Sequence, residues 1–175
     1  MKSLETFKKE QIKEKRERIY QTTLKLGVKK SLDSLTSKQM LSIVSMYDKE
    51  FFKGNLLKSI KSIGEFTTTA RIPDKIRGVD VVAVASRSGN NFVLYYNING
   101  SLKTIGNEST VGNLSCQSKL MCFLLAVEHE LVHLWTYVWY LKEMVRRGSH
   151  SKRFKQTLFK LFKHSSIYHD LSVSK

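Results

Sequence analysis

The feature that most constrains this chain is the pentapeptide His129-Glu130-Leu131-Val132-His133, set inside an apolar run that begins near Leu120. On a helix, residues four apart share a face. His129 and His133 can therefore turn two imidazoles toward one metal ion. Glu130 stands one position round, close enough to act on a water at that ion. Two neutral imidazoles and an open position are the beginning of a catalytic zinc site. The carboxylate would serve as general base for a water whose pKa falls to about 7 on the metal. The chemistry needs a helix, and the residues predict one from about Ser118 to about Tyr140, apolar on nearly every side before Glu128 and hence central and buried. The plainer alternative is a buried helix carrying two hydrogen-bonded histidines.

A catalytic zinc needs a third protein ligand. Downstream the candidates are Glu143, His150, His164 and His169. If the helix runs to Tyr140, its end lies roughly 10 Å beyond His133 at 1.5 Å per residue. Glu143 has three residues in which to return, a reach of about 10 Å fully extended. His150 has ten, follows Gly148 and precedes a new helix, so it is the first candidate and Glu143 the second. His164 and His169 would require that last helix to fold back. No histidine lies between Leu134 and Trp139, which excludes the metzincin spacing.

Around this core the chain reads as α+β. Residues 3–26 form a charged helix with a ragged apolar stripe, Leu4, Phe7, Ile12, Ile19 and Leu24. The first thirty residues hold ten Lys and Arg against four Glu, which suits either a nucleic-acid arm or a solvated helix of interleaved charges. A second helix starts at Thr36, with Gln39 completing a capping box, and Gly54 can end it. The segment from Leu56 to Ile63 fits a helix or a strand. Three strands follow: 66–72, stopped by Pro73, then 79–86 and 92–96, with a hairpin signal at Ser88-Gly89-Asn90-Asn91. Residues 100–112 read as a polar loop. A last helix starts near Ser151, with Phe154, Leu158, Leu161 and Phe162 facing the core and Lys152, Arg153, Lys160 and Lys163 on the opposite face.

Charge narrows the partners. Thirty Lys and Arg against fifteen Asp and Glu give +15, which points to a polyanion, nucleic acid before membrane. Cys116 and Cys122 form no CxxC pair, so no zinc ribbon is expected. Residues 1–20 show no apolar stretch of a secretory signal, and the run from Leu120 to Val127 is too short to span a bilayer. The expected location is intracellular, nuclear or cytoplasmic, without membrane association.

Taken in order, three segments resemble the SprT-like zinc metalloprotease domain, the Spartan family. They are Met46-Tyr47-Asp48-Lys49-Glu50-Phe51-Phe52-Lys53-Gly54-Asn55-Leu56, the metal-binding motif, and His150-Ser151-Lys152-Arg153-Phe154, a histidine followed by an aromatic. The resemblance covers about residues 35–165 and divides the chain into a basic helical segment, 1–34, and a protease domain, 35–175. It implies a small zincin-like α+β fold with a mainly antiparallel sheet. It also implies one zinc per chain on His129, His133 and His150, with Glu130 as base. The implied substrates are proteins crosslinked or bound to DNA, with single-stranded DNA the favoured stimulant. Ser151 departs from the glycine often found after the third histidine, the gap between second and third ligands is longer than expected, and no C-terminal DNA-binding module follows.

The leading expectation is a zinc endopeptidase working on DNA-bound proteins, with Lys152, Arg153, Lys160 and Lys163 contacting phosphates. Two other readings compete with it. One is a zinc protease without DNA dependence; the other is a nucleic-acid-binding protein with a structural or vestigial zinc site.

Overall fold

The central helix packs against the five other helices and two of the strands among the described residues. This computed structural model describes residues 4–28, 32, 35–69, 75–76, 79–80, 83–96 and 109–170. The expected stop at Pro73, residues 81–82 within the second expected strand and the loop at 100–108 lie outside the described residues.

Helix α1 (Lys9–Lys25) turns Ile12, Ile19 and Thr23 inward. Phe7, Ile12 and Ile19 join the same core as the central helix, so the basic first segment shares the interior of residues 35–170. Helix α2 (Ser37–Phe52) begins at the expected capping box, where Thr36 accepts from the Gln39 amide and Gln39 accepts from the Thr36 amide. It ends one residue before the expected glycine, at Lys53, which takes the left-handed conformation. The ambiguous segment is a helix, α3 (Asn55–Ile63). Asp48 decides it from α2, its carboxylate accepting from the Leu56 and Leu57 amides at 2.9 and 3.1 Å. A carboxylate on the first free N–H groups stabilises a helix start.

Strand β1 (Glu65–Thr69) follows, then the short ribbon β2 (Lys75–Ile76) and β3 (Val79–Asp80), then β4 (Ala83–Ser88) and β5 (Asn91–Tyr96). The expected hairpin joins β4 to β5, and Gly89 supplies a φ of 58° at its first turn position. The larger sheet has the order β1-β5-β4. The pairing is mainly antiparallel, as expected, with one exception. Four of the five strand pairings among the described residues are antiparallel, but β1 runs parallel to β5, so this sheet is mixed. A parallel pair needs a crossover connection, and only the β4–β5 hairpin carries a local turn signal.

Strands β6 (Thr110–Val111) and β7 (Leu114–Ser115) pair through a tight turn at Gly112-Asn113, and β8 (His169–Asp170) adds to β6. The central helix is α4 (Lys119–Trp139), capped by Ser118, whose hydroxyl accepts from the Met121 amide. Its residues Cys122 to Thr136 are buried without interruption. Helices α5 (Leu141–Arg147) and α6 (Lys152–Phe162) follow, with Phe154, Leu158, Leu161 and Phe162 buried as expected. Among the described residues no helix is long and apolar enough to cross a membrane.

Candidate metal centre

Helix α4 presents His129 and His133 on one face, one turn apart. The third imidazole arrives by a reversal of the chain. Tyr140 leaves helical geometry after α4, α5 runs for two turns, and Gly148 takes a φ of 83°. Ser151 then caps α6, its hydroxyl accepting from the Phe154 amide. His150 sits between that turn and that cap.

The three Nε2 atoms converge. His129 and His150 are 3.1 Å apart, His133 and His129 3.2 Å, and His133 and His150 3.2 Å. A closed triangle of ring nitrogens is a poor hydrogen-bond network, because each N–H can serve one neighbour only. It is a good donor set for a cation: zinc at about 2.0–2.1 Å from each nitrogen in tetrahedral array sets them about 3.3 Å apart. The three histidines thus form a group able to hold a metal ion. Burial holds the His150 imidazole below its ordinary pKa, with Lys155 adding to the effect, and so favours the neutral ligand form.

Phe154 organises the rings. It is fully buried, lies nearly parallel to His133 with centroids 4.2 Å apart, and meets His129 and His150 at 5.0 and 4.9 Å. One side chain therefore limits the rotation of all three.

Glu130 follows His129 directly on α4 and is buried. Its Oε2 accepts from the Ala85 amide at 2.6 Å, and Tyr137, two turns further along α4, donates its hydroxyl to the Ala85 carbonyl at 3.2 Å. Strand β4 is thereby fixed against the metal helix. Burial pushes the Glu130 carboxyl up to about 8, with the Ala85 amide working in the opposite direction. A carboxyl raised this far is mostly protonated at neutral pH; a cation held by the three histidines would favour its ionised form, the one that can act as a base.

Glu128 serves a different purpose. Fully buried, it receives a two-pronged contact from Arg16, Nε to Oε1 at 2.8 Å and Nη2 to Oε2 at 2.7 Å. His164 Nε2 approaches Oε2 at 2.8 Å, and Arg16 also donates to the Phe162 carbonyl at 2.6 Å. Burial alone would raise the Glu128 carboxyl; Arg16 and His164 outweigh it and hold the group below its usual range. Helices α1, α4 and the end of α6 are joined at this point, one residue from His129.

The structure brings together His129, His133 and His150, with Glu130 next to His129 on α4. Glu143 points elsewhere, its carboxylate 3.8 Å from Arg153, and His164 is committed to Glu128. His169 contributes its backbone to β8, and its side chain lies outside what is described. Lys152 and Arg153 follow the third histidine at the start of α6, whereas Lys160 and Lys163 stand at its far end, Lys163 over the Phe159 ring. Sequence reasoning missed Arg16, Glu128, the Ala85 amide and Tyr137. Glu128 had a signal, a charge inside an apolar helix, which demands a partner. Arg16 had none among so many cations.

The chain matches no family model, no curated protein and no solved structure.

Proposed function

We propose that this protein is a zinc-dependent endopeptidase of the SprT-like type, with a zincin-like fold, acting on proteins bound or crosslinked to DNA. The observation that carries the reading is the convergence of three imidazole nitrogens within 3.2 Å beside a buried carboxylate. His129, His133 and His150 would hold one zinc per chain. Zinc bound there supplies Lewis acidity toward a carbonyl and lowers the pKa of water to about 7.

The chain's own residues supply the rest. Glu130 accepts the proton of the attacking water and returns it to the leaving amine. The Ala85 amide holds Oε2 in place for both transfers. Phe154 keeps the imidazoles oriented, and the buried surroundings exclude bulk water from the carboxylate. A purely structural zinc site has no use for a base at Glu130, which favours catalysis over scaffolding. The net charge of +15 favours a substrate carried on nucleic acid.

The test is cleavage of a DNA-binding protein with and without single-stranded DNA, and with a chelator. Cleavage that needs the metal and rises with DNA is expected. Metal-dependent cleavage indifferent to DNA would remove the nucleic-acid part of the reading, and no cleavage under any condition would remove all of it.

A further inference from the structure

We infer that Tyr137 and Arg87 are positioning residues: they clamp strand β4 to helix α4 and, through the Ala85 amide, fix the Glu130 carboxylate. In the sheet order β1-β5-β4, strand β4 is an edge with β5 on one side only. Ala85 and Arg87 stand opposite Leu94 and Phe92 across that pair. Antiparallel pairing alternates, so every second residue turns its backbone N–H and C=O away from the neighbouring strand. Ala85 is such a residue, and α4 takes both of its groups. Its N–H donates to Glu130 Oε2 at 2.6 Å, and its C=O accepts from the Tyr137 hydroxyl at 3.2 Å. An edge otherwise leaves these groups unpaired.

Tyr137 holds the strand at two points. Its hydroxyl takes Ala85, and its own carbonyl accepts from Arg87 Nη1 at 2.9 Å. Residues two apart on a strand are about 7 Å apart, at about 3.4 Å per residue. Two contacts at that spacing resist both sliding and pivoting. The Arg87 fork is itself oriented: Nε donates to the Gly89 carbonyl of the hairpin turn at 2.9 Å, and the guanidinium lies 4.9 Å from the centroid of the buried Phe92 ring. Helix α4 lacks such a donor of its own. It ends at Trp139 with no basic residue in its last turn. The last carbonyls of a helix have no internal partner, and a cation there also meets the negative end of the helix dipole.

The clamp matters because of what Ala85 holds. Among the described residues its amide is the one hydrogen-bond partner of the Glu130 carboxylate. Glu130 and Tyr137 are seven residues apart on α4, two turns of one face, and both reach the same residue of β4. Where β4 stands therefore decides where the carboxylate points. A general base must lie within hydrogen-bond reach of the proton it takes, and a misplacement of about 1 Å can cost about 10²-fold in rate. This goes beyond the proposed function and rests on that reading for the catalytic consequence alone; the clamp itself does not depend on proteolysis.

Four zinc-loaded proteins test the inference: the parent, Tyr137→Phe, Arg87→Met and Arg87→Lys. Each is measured for hydrogen exchange at the Ala85 amide by NMR, for zinc content, and for kcat and KM in the cleavage assay. Tyr137→Phe loses one hydroxyl and keeps the ring. Exchange at Ala85 should quicken by about fivefold, the worth of one hydrogen bond. Turnover should fall by about fivefold to tenfold with KM and zinc content unchanged, the pattern of an interaction that acts on the chemical step. Arg87→Met should behave alike, and Arg87→Lys, which keeps a charged donor for one carbonyl, should recover part of the loss. Unchanged exchange in Tyr137→Phe and Arg87→Met would overturn the clamp. Faster exchange with kcat unchanged would overturn the positioning role, as would a loss confined to KM or matched by lost zinc. A parent without peptidase activity would remove the protease reading, and exchange at Ala85 would then decide the clamp alone.

Discussion

Replacing Arg16 with methionine should unfold more than a surface salt bridge ever could. The side chain of Arg16 is 16% exposed and that of Glu128 is fully buried, so their pair is shielded from solvent. Methionine fills most of the space but removes both contacts to Glu128 and the one to the Phe162 carbonyl. Glu128 would retain His164 at 2.8 Å and the Tyr47 hydroxyl at a long 3.4 Å. Breaking a buried pair by removing one partner costs about 3–5 kcal/mol. For a chain of this size each kcal/mol moves the melting temperature by about 2–4 °C, so a fall of roughly 10 °C is expected. Denaturant unfolding of metal-free protein measures it without the added stability of a bound ion. In a double-mutant cycle with Glu128→Gln, the two losses should fall short of additivity by about 2 kcal/mol. A change within about 1 kcal/mol for Arg16→Met, the worth of an exposed pair, would refute the argument that α1 is anchored through this charge.

The centre itself yields two further expectations. Phe154→Ala removes the ring shared by the three imidazoles and should cost about 3–5 kcal/mol as a cavity; metal affinity, measured by competition with a chromophoric chelator, should fall as well, while Phe154→Leu restores much of both. His150→Ala should abolish tight metal binding and Glu143→Gln should leave it nearly intact by the same assay; the opposite pattern would place the third ligand on α5.

Much of the site was legible because it depends on short-range geometry. The spacing of His129 and His133 requires one helix face, and the reach argument separates His150 from Glu143 by counting residues. The boundaries of α4 and α6 were legible from Ser118, Ser151 and the apolar residues between them, since a hydroxyl cap is a local event. What depends on distant partners was not. Leu56 to Ile63 becomes a helix through Asp48, eight residues away, and the parallel pairing of β1 with β5 has no turn to announce it. The role of α1 was hidden for a similar reason. Ile12, Arg16, Ile19 and Thr23 lie along one seam, but Arg16 is one cation among ten in that region, and only the packing of α1 against α4 selects it. Helix α5 was not expected as a separate helix. Its cations meet those of α6 only after the chain breaks at Tyr140 and turns at Gly148.

The central claim is that three histidines hold a metal ion and that Glu130 moves the proton of the reaction. The most direct measurement is a single preparation of Glu130→Gln, analysed for zinc and assayed for peptide cleavage beside the parent. The amide has nearly the same shape, so the variant should retain close to one zinc per chain. It cannot accept the proton, so turnover should fall by about 10²–10⁴. A variant that keeps its zinc and loses only a few-fold in rate would contradict the assignment of Glu130 as the base.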